Sequence, residues 1–264
     1  MKKNKLREHL NSGKPLLSTR MWSTNPLFWE IVGQTGNFDY VEFLAEYAPF
    51  DFTDLPNMAR AAELNDMGTM IKLDFQGRGY VAQKAVQSGF QSILFVDHVN
   101  PDQVRESVSL IKPKTAGSVG KFGYPNGRYI GNQSHIPPLE HVDRLNEVVL
   151  CFMIEKEEAV MNIEEICSIP GVDMIQFGPN DYCMSKGWNR LDHVREFKEA
   201  ERKCIQAALD HGVRPRCEIA TPADAEYYIK LGVKDFSLGD QVAKYKAFLN
   251  GEGKEMRDMV NDIR

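Results

Sequence analysis

Residues 148–181 read VVLCFMIEKEEAVMNIEEICSIPGVDMIQFGPND. Two apolar runs, 148–154 and 172–177, each lead into a carboxylate, Glu155 and Asp181. The intervening 159–168 has helical character and is stopped by Pro170-Gly171. Strand, carboxylate, helix, strand, carboxylate is the repeat of a parallel sheet, which gathers its strand ends at one rim. Two hard oxygen donors at such a rim, with room for water and substrate, suit Mg²⁺ or Mn²⁺, and Co²⁺ as well. On the pattern alone an equal alternative stands: one acid caps a helix and the other lies in a solvated loop.

The alternation extends in both directions. Strand-like runs fall at 16–22, 40–44, 69–72, 92–96, 213–217 and 235–238. Helical patterns fall at 5–12, 26–32, 54–65, 80–87, 101–111, 139–146, 191–211, 222–231 and 242–264. Eight strands, most followed by a helix, in a chain of 264 residues predict the α/β class and a (β/α)₈ TIM barrel. The barrel carries an N-terminal helix and a C-terminal helical extension at 242–264, and residues 1–264 form a single domain. An open doubly wound sheet is the alternative, but neither GxGxxG nor GxxxxGK[ST] occurs. Residues 113–137 are rich in Gly, Pro and polar groups, and such a long connection is expected to serve as a lid or binding loop.

Composition narrows the function. The chain is 42% hydrophobic and 26% charged with a net charge of −5, which argues against general nucleic-acid binding. No run reaches the roughly 20 apolar residues of a membrane span, and the basic start MKKNKLREHL has no apolar segment behind it. Five cysteines without CxxC spacing are expected to be thiols of a reducing cytoplasm.

In a barrel the residues closing the strands surround one mouth. Here they are Arg20, Glu46, Lys72, Asp97 with His98, Glu155, Asp181, Glu218 and Asp240. Glu218 and Asp240 read as ordinary solvent-facing strand ends. Glu155 is harder to set aside, because it directly extends an apolar run.

The stretch IEKEEAVMNIEEICSIPGVDMIQFGPNDYCMSKG, supported by FLAEYAPF, ILFVDHVN and DFSLGDQ, resembles the HpcH/HpaI family of metal-dependent aldolases and citrate lyases. That family includes 4-hydroxy-2-oxoheptanedioate aldolase and 2-keto-3-deoxy sugar-acid aldolases. The resemblance implies C–C cleavage or formation on a 2-oxo acid through a metal-stabilised enolate, with Glu155 and Asp181 as metal ligands. It also implies that backbone N–H groups around Asn180 and Asp181 hold the substrate carboxylate, and that copies assemble as hexamers through the C-terminal helix. The substrate is then a small 2-oxo or hydroxy acid.

Three positions depart from the family pattern. Tyr47 stands where a histidine follows the second-strand glutamate, Lys72 where the third strand has an arginine, and Met153 where a glutamine precedes the metal glutamate. Lys72 supplies a charge without the arginine fork; a Schiff-base role is disfavoured by nearby Glu46 and Asp74. Tyr47 is a candidate proton donor and His98 a candidate replacement base. Arg20 is a candidate second anion grip, with Glu46 beside it at the substrate, and Arg128 is a candidate contact for the distal end. Each also has a structural alternative: a rim ion pair for Lys72, packing for Tyr47 and a core hydrogen bond for His98. The expected activity is a class II aldolase. The alternatives are a citrate-lyase-like acyl-CoA lyase, counted against by the absence of an obvious basic cluster, and a non-catalytic ligand-binding protein on the same scaffold.

Overall fold

The computed structural model describes residues 3–128 and 136–263. Eight parallel strands close a barrel in the order β1 (Leu16–Met21), β2 (Tyr40–Leu44), β3 (Gly68–Leu73), β4 (Ser92–Phe95), β5 (Val149–Ile154), β6 (Met174–Phe177), β7 (Arg214–Ile219) and β8 (Asp235–Asp240). Closure is made by β1 against β8, whose register shifts between Ser18 and Arg20 so that Arg20 comes opposite Asp240. The predicted (β/α)₈ architecture is the observed one.

Each strand alternates between two cores. Inward residues such as Leu16, Tyr40, Met70, Leu94, Val149 and Met174 form one buried cluster. Outward residues such as Val41, Phe43, Ile71, Ile93, Phe95 and Phe152 pack under the helices as a larger one. This two-sided burial, complete in β2 to β6, is why those strands read as largely apolar runs.

The floor is closed by α1 (Lys5–Ser12). Asn4 caps that helix by accepting from the Arg7 N–H at 3.0 Å, and its side-chain amide donates to the carbonyls of Gln91 and Glu147, both at 2.8 Å. Leu6 is fully buried against Gly68, where a Cβ would lie 2.4 Å from the leucine Cδ1. The third strand therefore starts with glycine to admit the plug.

Outside the strands lie α2 (Pro26–Gln34), α3 (Asp54–Leu64), α4 (Tyr80–Ser88), α5 (Pro101–Ile111) and α6 (Pro138–Asn146). After β5 the expected single helix is two short ones, α7 (Glu157–Met161) and α8 (Ile163–Cys167), broken at Asn162. A helix absent from the sequence reading, α9 (Pro179–Ser185), follows β6. Then come α10 (Val194–Asp210), α11 (Ala225–Lys230) and α12 (Gln241–Asn261).

The described part of the 113–137 connection packs on the outer helices. Phe122 is buried in the outer core and pairs with Pro113, and Arg128 forms an ion pair with Glu63 of α3. The expected distal-substrate role of Arg128 is thereby corrected: its guanidinium is taken up beside Gly89 and Ser88. Residues 129–135 of the expected lid lie outside the described residues. No described helix is long and apolar enough to cross a membrane, and all five cysteines are buried free thiols.

Candidate active site

A cavity of about 610 Å³ opens at the C-terminal mouth of the barrel, lined among others by Arg20, Tyr47, Lys72, Met153, Gly178 and Asp181. Glu155 follows β5 directly and is 2% exposed. Its Oε1 accepts the Asp97 N–H at 2.8 Å, while no donor among the described residues binds Oε2. Asp97 itself adopts φ +61°, a left-handed conformation uncommon for a residue with a side chain. Burial pushes the Glu155 carboxyl up to about 7, opposed by the Asp97 N–H and the Lys72 charge and reinforced by the charges of Asp181 and Asp97.

Gly178 makes this arrangement feasible. A Cβ at that position would meet Glu155 Oε2 at 2.6 Å and Met153 Cε at 2.8 Å. Asp181, a few residues past β6, lies in the first turn of α9, behind Pro179 at the first helical position. First-turn amides have no acceptor within their own helix, so the backbone N–H groups of Asn180 and Asp181 are left for another oxygen.

Lys156 was missed by the sequence reading. Its Nζ lies 2.5 Å from Asp97 Oδ1 and 3.6 Å from Asp181 Oδ1, so an ammonium balances the carboxylates. Among the described residues no group of three or more His, Cys, Asp or Glu side chains gathers as a metal cluster. Two carboxylates with open space beside them still fit a hard divalent ion that keeps water and takes substrate oxygens as further ligands.

Across the cavity, Lys72 at the end of β3 is 6% exposed. Its Nζ donates to the Tyr47 hydroxyl at 2.6 Å and pairs with Glu46 Oε2 at 2.6 Å. Burial alone would lower the Lys72 pKa, but the contacts to Glu46 and Tyr47 outweigh it and hold it above the usual value. Lys72 is therefore a fixed ammonium, the wrong state for a Schiff-base nucleophile. Burial raises the Tyr47 phenol to about 12 despite the Lys72 contact. Its ring stacks on Trp22 at 5.5 Å.

Arg20 does reach the mouth, but it is already engaged. Its Nη1 pairs with Glu218 Oε2 at 2.6 Å, its Nε donates to the Gly239 carbonyl at 3.1 Å, and Asp240 lies at 3.8 Å. Glu218 and Asp240 are thus partners of Arg20 and not simple solvent-facing ends. Glu218 also accepts from Gln176 at 2.7 Å, and Gln176 accepts from Arg216. Arg216, fully buried on β7, pairs in turn with Glu42. A chain of polar groups hence runs from the barrel interior to the rim.

His98 does not join the site. It is 1% exposed, with Nδ1 on the Val96 carbonyl at 2.8 Å and Nε2 on Ser107 Oγ at 2.7 Å. Phe75, Phe95 and Phe152 surround its ring. Burial depresses its pKa to about 4. Its replacement-base assignment is corrected: the ring packs behind the barrel wall, on the face opposite the cavity.

The family model for HpcH/HpaI aldolase/citrate lyase matches residues 23–240. Among curated relatives, 2-dehydro-3,6-dideoxy-6-sulfogluconate aldolase of Pseudomonas putida is 25% identical over 62% of each chain, so the matched region spans less than two thirds of that relative. The 4-hydroxy-2-oxo-heptane-1,7-dioate aldolase of Salmonella paratyphi A is 23% identical over 90% of this chain and 88% of its own. Among solved structures, citrate synthase SbnG superposes with a TM-score of 0.82 at 22% identity, covering 98% of this chain and 100% of that one. The citrate lyase beta subunit of M. tuberculosis, complexed with oxaloacetate and magnesium, gives 0.55 at 11% identity over 88% and 94%.

Proposed function

The chain belongs to the HpcH/HpaI aldolase/citrate lyase family, and on that premise we propose that it is a divalent-metal-dependent aldolase of 2-oxo acids. The observation that carries this reading is Glu155, buried against Gly178 at the barrel mouth, within electrostatic reach of the partly exposed Asp181 carboxylate that lines the same cavity. Magnesium in the related citrate lyase beta subunit and the aldolase activities named for the relatives support it.

Glu155 Oε2 and the Asp181 carboxylate would hold Mg²⁺ or Mn²⁺. Once bound, the ion supplies Lewis-acid stabilisation of the negative charge that develops on the 2-oxo oxygen. The chain's own residues do the rest. The N–H groups of Asn180 and Asp181 bind the substrate carboxylate. Lys72 Nζ, kept charged by Glu46, places a positive charge across the cavity without the bidentate fork of an arginine. Tyr47 Oη accepts from Lys72 and retains its own proton at neutral pH, so it serves as a proton donor and not a base. Trp22, stacked on Tyr47, holds the ring of that half-exposed phenol in place.

The test is α-proton exchange of pyruvate in D₂O followed by NMR, with and without Mn²⁺ or Mg²⁺ after chelation. Metal-dependent exchange, lost in Asp181→Asn while the circular dichroism is unchanged, is the expected result. Absence of exchange in the metal-loaded wild type would withdraw the aldolase reading.

A further inference from the structure

Asp97 has no part in the chemistry proposed above, yet both carboxylates of the metal pair lie within its influence. It follows β4 at the barrel mouth with φ +61°. Among the described residues Asp66 is the one other residue with a side chain at positive φ, and it lies in the turn between α3 and β3. Asp97 sits in irregular chain with no such turn around it. The left-handed region is costly for a residue carrying a Cβ and persists where the surroundings over-determine it, often at functional sites. Two contacts hold Asp97 there. Its N–H donates to Glu155 Oε1 at 2.8 Å, and its Oδ1 takes the Lys156 ammonium at 2.5 Å. Backbone and side chain of one residue thus grip the two consecutive residues that follow β5.

Each contact bears on a different member of the metal pair. With Oε1 tied to Asp97, Oε2 is the Glu155 oxygen without a donor among the described residues, and it is the one that lies against Gly178. Lys156 has two carboxylates in reach and stands nearer Asp97, at 2.5 Å, than Asp181, at 3.6 Å. Its side chain is 17% exposed, so the alternative to Asp97 is Asp181 and not bulk water.

We propose that Asp97 is the positioning residue of the metal pair: its N–H aims Glu155, and its carboxylate draws Lys156 off Asp181. Deprived of that carboxylate, the ammonium passes to Asp181 and competes there with a divalent ion as an internal cation. The proposal rests on the metal reading for the role of the pair and adds to it a residue that acts through Glu155 and Lys156.

The experiment is a double-mutant cycle on Mn²⁺ affinity, read by electron paramagnetic resonance of the free ion with the intact chain and no substrate. Asp97→Asn keeps the N–H, and asparagine tolerates the left-handed region; Lys156→Gln removes the ammonium. Charges that act only through space contribute independently, and their effects on affinity multiply. An ammonium that changes partner breaks that rule. Lys156→Gln should tighten Mn²⁺ by roughly tenfold more in the Asp97→Asn background than in the wild type. Equal gains in the two backgrounds, or an Asp97→Asn affinity equal to that of the wild type, would overturn the exchange.

The N–H arm is read from Asp97→Gly and Asp97→Val. Glycine keeps the left-handed conformation at no steric cost and should match Asp97→Asn. Valine does not adopt it readily and should bind Mn²⁺ about tenfold more weakly than Asp97→Gly, a loss that Lys156→Gln does not restore. Equal affinities for these two variants would overturn the aiming of Glu155. Absence of Mn²⁺ binding in the wild type counts against the metal reading, and the metal-free chain then tests the exchange by itself. In urea unfolding, the coupling between Lys156→Gln and Asp181→Asn should be stronger in the Asp97→Asn background than in the wild type; unchanged coupling rejects the exchange.

Discussion

At the scale of single residues, Lys156 and His98 show how much orientation matters. Lys156 holds an ammonium 3.6 Å from Asp181, where it would repel a divalent ion held by the same carboxylate. At an effective dielectric near 20, like charges a few ångströms apart cost on the order of 1–4 kcal/mol. Lys156→Gln should therefore tighten Mn²⁺ binding, by roughly tenfold or more, as read by water-proton relaxation. Weaker binding would mean that the lysine organises Asp97 and Asp181 for the ion. His98, buried and bonded to Val96 and Ser107, is expected to affect stability and not turnover. Its folded pKa of about 4 lies below the ordinary 6.5, so the unfolded chain binds the additional proton between those values. Its contribution is complete above pH 6.5 and is lost as pH falls towards 4, a span of at most about 3 kcal/mol. Denaturant unfolding of His98→Asn across pH 7 to 4 should show a shallower loss than the wild type; parallel curves would refute the assignment. Glu155 was legible because it ends an apolar strand. Lys156, within EKEE, reads as one more solvated charge, and only its placement across from Asp97 makes it part of the site. His98 was misplaced because neighbouring residues at a strand end face opposite sides of the wall.

At the scale of elements, β2 to β6 were legible to within a few residues because both faces of each are buried, leaving largely apolar runs; β1, β7 and β8, partly exposed and more polar, were placed by the β/α alternation. The missing element was α9. Its Pro179-Asn180-Asp181 start carries turn signals, and the same residues can open a helix with proline at its first position. Equally hidden was the polar spine of the barrel. Glu42 and Arg216 are both fully enclosed, and Glu42 Oε1 has no hydrogen-bond partner among the described residues. Arg216 also donates to the Tyr40 hydroxyl at 2.7 Å and to Ser18 Oγ at 3.1 Å, joining β1, β2, β6 and β7. The available clue was an acid flanked by apolar neighbours in YVEFL, but its partner is far away in the chain and cannot be paired by pattern alone. Removing one member of such a pair strands a buried charge. Arg216→Met should cost about 3–5 kcal/mol in urea unfolding, and adding Glu42→Gln should recover part of it. A single change with no measurable cost would show that the pair is dispensable to the fold.

At the scale of the whole molecule, α12 is unfinished by the standards of the other helices. It runs for 21 residues without one buried side chain, although an isolated helix of modest length is marginal in water. Val242, Tyr245, Phe248, Leu249, Met256 and Met259 are all exposed along it. Near its start, Tyr245 and Leu249 face Trp22 and Phe28 across an apolar groove, and Trp22 is the residue stacked on Tyr47 in the active site. Contiguous exposed apolar surface of this kind marks an interface, and closed symmetric assembly of identical chains is the usual way to cover it. Light scattering after size exclusion should therefore give a multiple of the 30.0 kDa chain mass, a hexamer on the family resemblance. Tyr245→Lys/Leu249→Lys should dissociate it, and turnover should fall with assembly because the substituted groove is the one that Trp22 lines. A 30.0 kDa species at micromolar concentration, with α12 still helical, would separate the helix from both assembly and catalysis.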